Sequence, residues 1–131
     1  MLNLRYLAAG LAVLPLALAM DAPARRAPVE QFAPLLRAAL DAPNGMAHGV
    51  LAGSVAVAFK RQFGTGGDVD IDVSTIVRYA QRGCARLRVD VSQEGVKLST
   101  QATPQQQRVR FELNYCSDGL PPRSLATGEA R

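Results

Sequence analysis

His48 carries the only imidazole of the chain, and Cys84 and Cys116 carry its only thiols. With the alternating carboxylates Asp68, Asp70 and Asp72, these are the side chains from which chemistry would have to start. His48 lies in Ala47-His48-Gly49, where a loop would leave it free to move a proton. Ser54 follows closely, but Ala52-Gly53-Ser54-Val55-Ala56 is not the Gly-x-Ser-x-Gly elbow that presents a nucleophile, and no paired carboxylates or metal-ligand spacing accompany it. An ordinary loop histidine explains the residue, and no catalytic residue is assigned.

The run Asp68-Val69-Asp70-Ile71-Asp72 begins like a calcium loop, in which alternate carboxylates supply hard oxygen ligands. Val73 then stands where that loop needs glycine and Tyr79 where it needs a bidentate glutamate. The run is therefore expected to be the solvated side of a strand, with no metal and no cofactor assigned. The two thiols show no Cys-x-x-Cys spacing and lie far from the histidine, which argues against redox or metal chemistry.

The start of the chain decides what the cysteines do. Arg5 precedes an uncharged apolar run over residues 7–18 that ends in small side chains, the pattern of a cleavable export signal. Ala17 and Ala19 suit the two recognition subsites of signal peptidase, so cleavage is expected after Ala19; Pro23 disfavours the alternative after Ala22. The run is well short of the roughly 20 residues that span a bilayer as a helix, so no stable membrane span is expected after cleavage. Residues 20–28 read as a linker. Export to the periplasm or outside the cell predicts a Cys84 to Cys116 disulfide, which by loop closure contributes up to ~3.7 kcal/mol. Abundant arginine and alanine, with lysine only at Lys60 and Lys97, suggest a bacterial protein with GC-rich coding.

The elements follow from periodicity. Residues 28–41 read as a helix with Val29, Phe32, Leu35, Leu36 and Leu40 near helical spacing, its regular part delayed by Pro34. Residues 42–49 read as a loop. In residues 51–63 the apolar Leu51, Val55, Phe59 and Phe63 stand four apart before Gly64, which favours helix, although local alternation leaves a strand open.

Beyond residue 67 the period changes to two. Val69, Ile71, Val73, Thr75, Val77 and Tyr79 share one parity, and Asp68, Asp70, Asp72, Ser74 and Arg78 the other, with Ile76 the exception. Ala85, Leu87, Val89 and Val91 define a second strand, residues 96–100 a short third, and Val109, Phe111, Leu113 and Tyr115 a last one. If the second and last strands are antiparallel neighbours, the register that joins Cys84 to Cys116 also pairs Arg88 with Glu112; a meander through residues 96–100 is the alternative. Residues 118–131 carry breakers and no period, and are expected to be a mobile tail.

The expected fold is α+β: one or two N-terminal helices packed on a three- to four-stranded antiparallel sheet, a single domain over residues 29–117 with one disulfide. Its outward face would carry Arg78, Arg86, Arg88, Arg108 and Arg110 among a similar number of carboxylates. These arginines are the candidate surface for an envelope protein partner or an anionic envelope polymer. The sheet aromatics share the inward parity, so nucleic acid is not expected as a partner. The expected function is that of a non-catalytic envelope protein, an accessory of a larger secretion or surface assembly. A small periplasmic enzyme or inhibitor, or capture of a small ligand between helices and sheet, are the alternatives.

Overall fold

The computed structural model describes residues 25–128; the expected signal peptide and most of the linker lie outside this range. The elements are β1 (Ala27–Val29), α1 (Ala33–Asp41), β2 (Met46–Leu51), α2 (Gly53–Gln62), β3 (Val69–Arg78), β4 (Cys84–Val96) and β5 (Gln105–Cys116). The α+β class holds, but the sheet is mixed and has five strands in the order β1-β2-β3-β4-β5, not three or four antiparallel ones. β1 runs parallel to β2, and every other neighbouring pair is antiparallel.

α1 starts at Ala33 because Pro34 belongs in a first turn, where its missing N–H has no helical partner to lose. The amides of Leu35 and Leu36 both donate to the Phe32 carbonyl at 2.9 and 3.0 Å. One stripe of the helix, Leu35, Leu36, Ala39 and Leu40, is buried against Ile71, Val73, Leu87 and Val89 from the central strands. α2 confirms the helical reading of residues 51–63 but buries no side chain fully; only Ala56 packs against the core cluster.

Residues 42–49, expected to be a loop, contribute most of β2. Gly45 adopts φ +68°, and its carbonyl accepts from the Thr75 amide at 2.8 Å, which launches β2 alongside β3. Gly49 is not a turn residue. A Cβ there would meet Leu35 Cδ1 at 2.5 Å, so the glycine lets α1 sit directly on the strand. β1 spans the end of the segment read as linker and the start of the one read as helix, and adds a short parallel edge through Ala27 opposite Gly49 and Val29 opposite Leu51.

The antiparallel register of β4 and β5 pairs Cys84 with Cys116 and Arg88 with Glu112, so the meander alternative is excluded. The short strand at residues 96–100 is corrected: β4 runs on to Val96 through an irregularity between Gln93 and Val96, where Gly95 takes φ +70°. That glycine bends the strand rather than reversing it. The expected tail makes backbone contacts over its described residues. It turns back on the β3–β4 connection, with the Ala80 amide donating to the Ala126 carbonyl at 2.7 Å and Tyr79 bridging Thr127.

Candidate functional site

Both helices cover one face of the sheet, so the other face is where β2 to β5 display polar side chains. Residues directly opposite on adjacent strands share a face. His48 on β2 lies opposite Asp72 on β3, Asp72 opposite Asp90 on β4, and Asp90 opposite Arg110 on β5. These four form one row across the sheet. In the neighbouring row, Met46, Ser74, Arg88 and Glu112 stand side by side.

Two carboxylates facing each other repel, and the row answers this with a cation at each end. Arg26 grips Asp72 with both terminal nitrogens, Nη1 to Oδ1 at 2.8 Å and Nη2 to Oδ2 at 3.3 Å. Arg110 Nε donates to Asp90 Oδ1 at 2.7 Å. His48 Nδ1 meets Asp72 Oδ1 at 2.6 Å. Partial burial pushes the Asp72 carboxyl up, but hydrogen bonds from Arg26 and His48, and their charges, outweigh it and hold the group below its ordinary value. An ionised Asp72 only accepts, so His48 donates from Nδ1 and leaves Nε2 to the shallow depression lined by Arg26, Met46, Ser74 and Asp90.

That geometry orients an imidazole in an open depression that also holds the Ser74 side chain, not in an enclosed cavity. Ser54 belongs to α2 on the opposite face. Among the described residues no group of three or more His, Cys, Asp or Glu could hold a metal ion.

The lowered Asp72 value fixes a pH dependence. Its stabilising contribution is complete above the unfolded aspartate value and is lost as pH falls through the lower folded value. The side chain is about a third exposed, so solvent screening limits the contribution to less than about 1 kcal/mol. Asp72→Asn is expected to cost that much at neutral pH and to flatten the acid limb of the stability curve. Urea titrations at pH values spanning the acid range measure both.

The arginines expected to share this face do not all do so. A bulge between Thr75 and Val77 absorbs Ile76, the residue that broke the alternation, and exchanges the faces beyond it. Val77 now lies opposite Arg86, and Arg78 opposite the buried Ala85. Arg78 therefore turns to the helical side, where its terminal nitrogens donate to the Leu40 and Ala42 carbonyls at 3.1 and 3.3 Å. It caps the end of α1 and is removed from the candidate docking surface. Tyr79 moves the other way and donates its hydroxyl to Asn114 Oδ1 at 2.5 Å.

Arg86, Arg88, Arg108 and Arg110 remain on the polar face. Arg86 and Arg88 converge on Glu112 at 2.8 and 3.4 Å. Their hydrogen bonds, Arg86 first, lower the Glu112 carboxyl from its ordinary value. With Arg110 held by Asp90, Arg108 is the one of the four that has no ion-pair partner among the described residues.

On the helical face the structure offers a second candidate that periodicity did not separate from the core. Between α2 and the far ends of β4 and β5 runs an open groove of about 230 Å³, lined by Phe59, Phe63, Val91, Val96, Leu98 and Val109. Buried Gln93 lies in it with its side-chain amide donating to the Gly67 carbonyl at 3.1 Å, so its polar atom is already served. Leu98 is 71% exposed and Val109 60%, and Phe59 and Phe63 stack loosely at 5.8 Å. The apolar spacing of Val55, Phe59 and Phe63 was the available signal, but it marks a buried stripe and an uncovered one alike. Compared with known proteins, the chain matches no family model, no curated protein and no solved structure, so its function is read from these residues themselves.

Proposed function

We propose that this chain is an exported, non-catalytic protein that binds an envelope protein partner, as an accessory of a larger secretion or surface assembly. The observation that carries the reading is the open apolar groove between α2 and the β4–β5 end of the sheet. Leaving Phe63, Leu98 and Val109 in contact with water forgoes burial energy, which supports reading the groove as a docking site. The occupant in this reading is a partner segment with apolar side chains and acidic flanks. Arg61, two positions from Phe59 and Phe63, and Lys97, between Val96 and Leu98, form no ion pair among the described residues.

Export is supported by the Cys84–Cys116 bridge, which persists in oxidising compartments. No helix among the described residues is long and apolar enough to cross a membrane. The arginine face contributes less than its composition suggests, because Glu112 and Asp90 already engage Arg86, Arg88 and Arg110. The alternative of a small periplasmic enzyme draws on the Asp72-oriented His48, and an anionic envelope polymer remains the rival occupant of the arginine face.

A photo-crosslinking residue placed at Leu98 in living cells tests the proposal. One protein adduct is expected, abolished by Phe63→Glu and untouched by His48→Ala. The absence of any protein adduct, or a cellular defect from His48→Ala with the adduct intact, would sink it.

A further inference from the structure

The two edges of the sheet are built differently. β1 ends the sheet with three residues and a proline, Pro28, a short strand that offers little to pair with. β5 ends it with twelve residues and no proline, paired to β4 without interruption from Gln107 to Cys116. Among the described residues no strand covers its outer edge, and the returning tail bridges Tyr79 on β3's side of the molecule instead. A long, regular, uncovered edge is a template for another strand.

The side chains of β5 say which strand fits. On the helical face Val109 and Phe111 are 60% and 40% exposed, although their parity is that of the core, because α1 and α2 do not reach over the edge. Phe111 meets only the rim of the helical layer, edge-to-face with Phe32 at 6.1 Å. On the polar face Arg110 and Glu112 flank Phe111 with opposite charges.

We propose that β5 pairs antiparallel with β5 of a second copy of this chain, about a two-fold axis through Phe111, to form one continuous ten-stranded sheet. An axis perpendicular to the sheet keeps each face continuous, so apolar residues meet apolar residues and charges meet charges. Centred on Phe111, the pairing sets Arg110 opposite the partner's Glu112 and Glu112 opposite the partner's Arg110. It also sets Val109 opposite the partner's Leu113 and the two Phe111 rings side by side. Centring it one residue earlier would face Arg110 with the partner's Arg110, and one residue later Glu112 with the partner's Glu112. Both are like-charge contacts that disfavour those registers.

The charges of the separate chains already suit the match. Asp90 holds Arg110, and Arg88 holds Glu112, so the joined row reads Asp90, Arg110, the partner's Glu112 and the partner's Arg88, alternating in sign throughout. The exposed Val109 and Phe111 of each copy gain an apolar neighbour that the helices do not supply. This pairing shares Val109 with the groove, but it is read on the purified chain with no envelope partner present, so its failure and that of the proposed function are distinguishable.

Sedimentation equilibrium of the exported, oxidised protein across the micromolar range reads the association directly. A reversible dimer is expected, and Phe111→Lys, which sets two ammonium groups against each other at the axis, is expected to weaken it by about 100-fold or more. Val109→Lys, at a more exposed position, is a second weakening variant in case the first unfolds, with circular dichroism reporting the fold of each. Phe111→Cys is expected to give a disulfide-linked dimer on mild oxidation, while Leu125→Cys, in the exposed tail, is not. A chain that stays monomeric throughout, or a dimer indifferent to both lysine variants, would overturn the proposal.

Discussion

The Cys84→Ala/Cys116→Ala double variant is expected to lose about 3 kcal/mol of stability, lowering Tm by roughly 15 °C for a domain of this size. The two cysteines face each other in the β4–β5 register, both buried, with Cα atoms 4.0 Å apart. The hairpin connection closes the opposite end of the same strand pair, so the bridge joins the end that is free to splay. β5 is an edge strand, hydrogen-bonded on one side only, and the bridge limits the conformations its unfolded chain can explore. Reductant alone should reproduce the loss, measured by thermal melts of the oxidised and reduced protein. An unchanged Tm would mean that β5 is held by its ladder and not by the covalent link.

The second large effect separates core from docking surface on the same face of the sheet. Leu87 is completely buried at the centre of β4, and Leu87→Ala is expected to cost about 3 kcal/mol through lost transfer energy and the cavity left behind. Phe63 lines the groove with 36% of its surface exposed, and Phe63→Ala should cost less than half as much. Urea denaturation of the two variants measures the contrast. If Phe63→Ala destabilised the fold as severely as Leu87→Ala, the groove would be a core in which α2 is essential, and the proposed docking role would fall. If the costs separate as expected, the groove can be altered without unfolding the protein, which the crosslinking test requires.

The position of His48 shows how a local reading can miss a site. Gly45 and Gly49 on either side of it suggest a loop, and each does serve a special backbone purpose. One starts β2 and the other makes room for Leu35; neither purpose is visible without the neighbouring elements. Asp72, which orients the imidazole, is 24 residues after it in sequence, and Arg26, which holds Asp72, is 22 before it; they meet only because β2 lies beside β3. Arg78 shows the converse. Strict alternation assigns it to the polar face, but Ile76 breaks that alternation, and the bulge there turns Arg78 to the end of α1.

What the amino-acid order determined by itself was what local periodicity can encode. The 3.6-residue stripe of Leu35, Leu36 and Leu40 and the two-residue alternation of β3, β4 and β5 follow from how side chains project from each backbone. The two cysteines added one long-range constraint, which pairs Arg88 with Glu112 once β4 and β5 are antiparallel neighbours; that adjacency was decided by the fold. Tertiary structure decided the rest: the addition of β1 and β2, the exchange of faces after Ile76, the return of the tail, and which apolar side chains stay uncovered. These depend on hydrogen bonds and packing between distant segments, whose strength comes from neighbours that no local pattern names. The same apolar spacing yields a buried α1 and a half-covered α2 because two short helices cannot roof five strands, and the surface they leave open is the one on which the proposed docking rests.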